Sequence, residues 1–277
     1  MLAIRRAGET VAPRRGAARG TELARTMLDT VGAHRLIEAG DRILVAVSGG
    51  KDSYTLLDLL ARARRRAPVD FDLIALHVDQ GQPGYDGAAL EAWLARSGVP
   101  FEIVREDTYS IVARKAREGS ERTYCRLCSR LRRGILYNAA ERRGCNKIAL
   151  GHHRDDALET FLLNLFRAGR LQAMPAIYTT NDGRFRVIRP LIECAESEIA
   201  RHARLAGYPI VPCNLCGAQS DLERVAVAEL LRRLEARIPD VRQVMLAALK
   251  NVRPSHLLDV EVAETWLGRA GDYPPRR

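Results

Sequence analysis

No apolar run in the 277 residues approaches the ~20 that a membrane-crossing helix needs, and the N-terminus has no hydrophobic core of a secretory signal. A cytoplasmic protein without membrane contact is expected. Two common phosphate-binding patterns are also missing, because neither GxxxxGK[ST] nor GxGxxG can be laid on the glycine-rich stretch SGGKDS at residues 48–53. Cysteine is sparse. Six in a chain of this length, without a secretion signal, do not make a disulfide framework and point to metal or redox chemistry. A mitochondrial presequence resembles the Arg-, Ala- and Gly-rich residues 1–18, but Glu9 and the short length argue against one, so residues 1–22 are expected to be a mobile basic tail.

What is present is organised around residues 43–53, ILVAVSGGKDS. Five apolar, mostly β-branched residues predict a buried strand, Gly49 and Gly50 permit a tight turn, and Ser53 opens a helix carrying Leu56, Leu57, Leu59 and Leu60. Small residues let phosphate oxygens approach backbone N–H groups at the helix N-terminus, and Lys51 adds a mobile cation. Ser48, Gly49, Gly50, Lys51, Asp52 and Ser53 are therefore the candidate nucleotide-binding residues. The alternative is an ordinary glycine-rich strand-to-helix turn.

Further strands are expected at residues 72–78 (DLIALHV), 101–104 (FEIV) and 147–150 (KIAL), with helices at 23–37 and 88–95 and Trp93 in the core. Alternation of this kind predicts βαβ units and a doubly wound parallel sheet, an α/β fold. His77 falls at a strand C-terminus, where side chains point into the ligand crevice. GHHRDD at 151–156 repeats the strand-to-helix placement of SGGKDS, so both open on one crevice edge, and the following helix is expected to bury Leu158, Phe161, Leu162, Leu165 and Phe166. Gly151 and Asp155 join the candidate site. Paired acids there either favour the helix dipole or hold Mg²⁺ against phosphates, and a nucleotide pocket favours the metal.

Beyond Gly169 the pattern changes. NDG at 181–183 predicts a hairpin turn, 196–205 a helix, and Ser220 with Glu223 a capping box before a long helix through Leu234. The expected division is an ATP-binding α/β domain at 23–170, a hairpin and mainly helical region at 171–260, and a tail at 261–277. Forty-four Lys plus Arg against 34 Asp plus Glu give a net charge of +10, which favours a polyanionic partner.

Cys125 and Cys128 form one CxxC at a helix start, and Cys213 and Cys216 form another about 85 residues later. Thiolates at helix starts have lowered pKa values and suit metal ligation or sulfur transfer. Four could close a structural zinc site, or three could bind an iron–sulfur cluster with one iron open, and spacing leaves the two level. Cys145 and Cys194 are expected to be buried structural thiols.

SGGKDS after a strand resembles the PP-loop of ATP pyrophosphatases. Taken with TYCRLCSRLRRGILY (123–137), GHHRDD (151–156), IRPL (188–191), PCNLCG (212–217) and PSHL (254–257), the chain resembles the tRNA 2-thiocytidine synthetases over residues 29–259. The resemblance implies ATP on the loop, Mg²⁺ with Asp155 as acidic partner, and a [4Fe-4S] cluster on Cys125, Cys128 and Cys216. It implies catalytic roles for Lys51, Asp52 and Asp155, adenylation of O2 of the cytidine at anticodon-loop position 32, and attack on C2 by sulfide held on the cluster. A cysteine desulfurase as sulfur source, the tRNA anticodon stem-loop as partner and a homodimer are implied too, with Arg126, Arg130, Arg132 and Arg133 meeting tRNA phosphates. The rival expectations are a lysidine synthetase-like enzyme with an amine nucleophile, which has no need of paired cysteines, and a zinc-stapled non-catalytic RNA-binding protein.

Overall fold

Ile43, Leu44 and Val45 are all fully buried, although strand neighbours point to opposite faces, so the strand that carries them must be covered on both sides. In the computed structural model, which describes residues 22–117, 124–211 and 222–269, that strand is β1 (Arg42–Ala46). It lies between β2 (Asp72–Asp79) and β4 (Lys147–Ala149), both parallel to it, with Val45 level with Ala75 and with Ala149. The six-stranded order is β3-β2-β1-β4-β6-β5, where β3 is Phe101–Arg105, β6 is Arg186–Ile188 and β5 is Ile177–Thr179. Only β5 runs antiparallel. The doubly wound parallel sheet expected from the alternation is present.

One face of the sheet packs Ile43 and Val45 against α1 (Glu22–Ala33), α2 (Lys51–Arg64), α3 (Ala88–Arg96) and α7 (Glu196–Ala206). Leu56, Leu57, Leu59 and Leu60 of α2 are buried as their spacing predicts, and half-buried Trp93 of α3 packs edge-on against Tyr54 at 4.7 Å. The other face packs Leu44, Ile74, Leu76 and Val187 under Ala139 and Ala140 of α5 (Tyr124–Arg142). Helix α4 (Thr108–Arg117), which the sequence did not announce, fills the connection ahead of α5.

The hairpin forms around Gly183 (φ +74°) as the NDG signal predicts, but it does not stand apart from the nucleotide domain. Val187 of β6 pairs beside Ile148 of β4, so the parallel sheet continues into the region where the sequence pattern had changed. Helix α6 (Arg154–Leu163) buries Leu158 and Leu162, but Leu165 and Phe166 are 37% and 58% exposed. The reason is a π-helical turn at Asn164–Ala168, which breaks the 3.6-residue period and ends at left-handed Gly169.

The described residues up to Ala228 form one compact unit and those from Glu229 another. Helix α8 (Leu222–Glu235) runs from the first into the second, while Ser220 of the expected capping box lies outside the described residues. The second unit contains α9 (Val241–Lys250) and α10 (Val260–Arg269), the latter in a stretch expected to be tail. Among the described residues no helix is long and apolar enough to cross a membrane.

Candidate nucleotide and sulfur-transfer site

In a doubly wound sheet the crevice opens at the strand C-termini where successive connections leave in opposite directions, here between β1 and β4. β1 ends at Ala46 and α2 starts at Lys51, so the chain reverses within four residues. Gly49 makes the turn at φ +87°, and a Cβ there would lie 3.2 Å from Val211 Cβ and 3.2 Å from Leu90 Cδ1, so conformation and space both demand glycine. Ser53 Oγ accepts from Ser48 N at 3.1 Å and donates to Gly50 O at 2.9 Å, bracing the loop from within. Val211 N donates to Gly49 O at 3.0 Å, so the extended residues before PCNLCG are tied directly to the loop.

The second loop is seated by Gly151. A Cβ at that position would lie 3.1–3.2 Å from Asp52 C, Asp52 O and Ser53 N, so only glycine lets the turn after β4 rest on the first turn of α2. His153 then caps α6: its Nδ1 accepts from Asp156 N, and Asp156 Oδ2 accepts from His153 N at 3.0 Å. Between the two loops lies a cavity of about 640 Å³, lined by Ser48, Asp52, Ser53, His77, Gly151 and Asp156, among others. Arg132 and Arg133 of α5 reach the same cavity, so two of the arginines expected to meet tRNA phosphates face the nucleotide space.

Lys51 Nζ lies 2.9 Å from Glu196 Oε1 and 3.2 Å from Asp52 Oδ1. Burial opposes the ammonium charge, but the two carboxylates outweigh it and hold the Lys51 pKa above the ordinary lysine value. Asp52 Oδ1 is buried between Lys51 Nζ at 3.2 Å and His153 Nε2 at 3.8 Å, an ion-paired oxygen on which no donor is aligned for a hydrogen bond. A hard carboxylate oxygen of this kind, beside Asp156 on the same cavity, suits Mg²⁺. Asp155, which the resemblance pairs with Mg²⁺, is 4% exposed and accepts from Glu196 N at 2.8 Å, holding the start of α7. Of the adjacent acids, Asp156 takes the cavity side.

His77 is buried at the cavity wall, and its hydrogen bonds fix its tautomer. Val47 O, 2.8 Å from Nδ1, can only accept, so Nδ1 carries the proton and Nε2 accepts from Tyr85 OH at 2.6 Å. Burial lowers the His77 pKa and keeps the ring neutral. His152 is pushed down to about 4, first by burial and then by the Arg189 guanidinium, whose Nε lies 3.2 Å from His152 Nδ1.

Cys128 is buried, and its Sγ donates to Gln80 Oε1 at 3.3 Å, while Gln80 itself lines the cavity. The thiol is thus one side chain from the nucleotide space. Cys125 lies three residues earlier on α5; its side chain, and Cys213 and Cys216 altogether, lie outside the described residues. Among the described residues no three His, Cys, Asp or Glu side chains are grouped to hold a metal. Cys145 and Cys194 are buried thiols as expected, and burial pushes Cys194 up to about 12.

Sequence reasoning missed Gln80, Tyr85 and Glu196. The strand-end rule that found His77 could have reached Gln80, which directly follows β2. Nothing local marks Glu196, which is brought in by α7 crossing α2.

A glycine-braced turn at the switch point of a parallel sheet, with a lysine and carboxylates at its edge, defines a phosphate-gripping α/β nucleotide domain, and residues 21–212 match the family model described as PP-loop domain. The chain is 56% identical over 238 residues to tRNA-cytidine(32) 2-sulfurtransferase of Sorangium cellulosum (strain So ce56), covering 86% of this chain and 83% of that one. It is 52% identical over 253 residues to the same-named protein of Anaeromyxobacter sp. (strain K), covering 91% and 86%. The chain belongs to the tRNA-cytidine(32) 2-sulfurtransferase family. Among solved structures, the U34-tRNA thiolase NcsA from Methanococcus maripaludis with its [4Fe-4S] cluster shares the fold at TM-score 0.63 and 22% identity, over 84% of this chain and 79% of that one.

Proposed function

We propose that this chain thiolates cytidine at position 32 of tRNA, using ATP held on residues 48–53 to activate O2 and sulfur to replace it. The observation that carries the reading is the adjacency of loop and thiol: Gln80 lines the same cavity as Ser48, Asp52 and Ser53 and also hydrogen-bonds Cys128.

The orphan N–H groups at the start of α2 bind the triphosphate, and Lys51 stabilises charge building on it. Cytidine O2 attacks the α-phosphorus, the bond to the bridging oxygen breaks, and pyrophosphate leaves. A desulfurase draws sulfur from cysteine as a persulfide, a thiol reductant supplies the two electrons that bring it to the sulfide level, and this sulfide adds to C2 as the C2–O2 bond breaks with AMP as leaving group. A [4Fe-4S] cluster on Cys125, Cys128 and Cys216 would supply an open iron position for sulfur, and Mg²⁺ beside Asp52 and Asp156 would screen the phosphates. Thiol donors at a helix start fit the first group, and the carboxylates of Asp52 and Asp156 on one cavity fit the second. Asp155 acts as a positioning residue by fixing the start of α7, and neutral His77 orders the wall of the cavity where base or ribose would rest.

The test is mass spectrometry of tRNA nucleosides from cells lacking the protein, complemented with the wild-type or a Cys216→Ala copy. Loss of 2-thiocytidine, restored by the wild type alone, is expected. Its persistence in the deletion strain removes the proposed activity, and loss of lysidine instead would install the amine-transfer reading. Protein purified without oxygen is expected to be brown and to contain iron; a colourless zinc protein would remove the cluster.

A further inference from the structure

An anionic side chain stands where a triphosphate is to be bound. Glu196, the first residue of α7, lies 2.9 Å from Lys51 Nζ, and its carboxylate is half-exposed. Its position is not accidental, because Asp155 accepts from Glu196 N at 2.8 Å and so fixes the helix start that carries it. Asp155 is itself nearly fully buried on α6, so three separated stretches, the PP-loop, GHHRDD and the segment after IRPL, converge on one lysine.

The charges facing Lys51 are Asp52 on its own helix and Glu196 on α7; the two outweigh the cost of burial on the ammonium. A phosphate oxygen that takes Lys51 must therefore displace Glu196 or sit beside it. We infer that Glu196 is a positioning residue for Lys51: it holds the ammonium when the loop carries no phosphate, competes with phosphate for it, and takes it back when pyrophosphate leaves. The inference rests on the proposed binding of ATP by the loop. Its chemical consequence is that the carboxylate weakens ground-state binding of ATP and pyrophosphate and favours product release.

The experiment is calorimetric binding of ATP and of pyrophosphate, each with Mg²⁺, to full-length protein purified without oxygen, as wild type, Glu196→Gln, Glu196→Asp and each in a Lys51→Met background. Removing one competing charge from a partly exposed pair is expected to tighten both ligands by about 3–10-fold in Glu196→Gln. Glu196→Asp keeps the charge and is expected to stay within about twofold of wild type. In turnover, Glu196→Gln should lower KM for ATP and lower kcat with it, as pyrophosphate leaves more slowly. The tightening should vanish in the Lys51→Met background. Unchanged or weaker binding by Glu196→Gln overturns the inference, and so does equal tightening without Lys51, which would make Glu196 a simple repelling charge. Failure of the wild type to bind ATP would overturn the nucleotide reading itself and this inference with it. The backbone bond to Asp155 does not involve the Glu196 side chain, so the variants keep the helix start in place.

Discussion

Gln80 and Cys128, 48 residues apart in sequence, meet where the thiol donates to the amide oxygen across 3.3 Å. Thr108 Oγ1 donates to the same oxygen at 3.1 Å, and Tyr109 N donates to Gln80 O at 3.1 Å. One side chain at the end of β2 thereby fixes both the start of α4 and the cysteine helix α5. Replacing it with leucine leaves a buried hydroxyl and thiol without their acceptor. In the metal-free protein Gln80→Leu is expected to lose about 1–3 kcal/mol of stability in urea denaturation, and with the starts of α4 and α5 no longer held together it should take up less iron and form less 2-thiocytidine. Unchanged stability and iron content would mean that the bond only decorates the packing.

The two glycines Gly151 and Gly134 make opposite predictions. A methyl group on Gly151 meets the backbone of Asp52 and Ser53 at 3.1–3.2 Å, and backbone in the first turn of a helix cannot step aside as a flexible side chain would. Gly151→Ala is expected to push the two loops apart and weaken ATP binding by at least about tenfold, roughly 1.4 kcal/mol. Gly134, exposed within α5, has open space around it, so Gly134→Ala should raise stability by about 0.5–1 kcal/mol through helix propensity and leave ATP affinity alone. Thermal denaturation and nucleotide titration of the two variants check both halves.

Much of this site was legible in the sequence because strand-to-helix turns announce themselves locally. Gly49 and Gly151 were found by composition and context, and the structure supplies the reason for each: a left-handed turn in one case, contact with a helix backbone in the other. Legibility stopped where neighbours come from far along the chain. Asp155 and Asp156 are consecutive, and successive helix residues point about 100° apart, so only the position of α7 decides which acid binds Glu196 N and which lines the cavity. Leu165 and Phe166 misled because a period of 3.6 was carried through a π-helical turn, which holds more residues. The short β6 was recognised as half of a hairpin, but its pairing with β4 depends on Lys147 and Ile148, some 40 residues earlier in the chain.

Acid sensitivity should be traceable to His152. Burial, followed by the Arg189 guanidinium, holds its folded-state pKa at about 4, against about 6.5 for an imidazole in the unfolded chain. On acidification the unfolded chain therefore takes the proton first. The stability that neutral His152 contributes is complete above about pH 6.5 and is lost as the pH falls toward about 4, with a limiting slope of about 1.4 kcal/mol per pH unit for one proton. His77, whose pKa is also lowered by burial, acts in the same direction but is common to wild type and variant and cancels between them. Asparagine at position 152 cannot titrate, while its amide can still accept from Arg189 Nε. Between about pH 7 and pH 5 the wild type is thus expected to lose about 1–2 kcal/mol more unfolding free energy than His152→Asn. Urea denaturation at the two pH values measures the difference, and equal losses in the two proteins would show that His152 shares its proton with solvent in the folded state as freely as in the unfolded one.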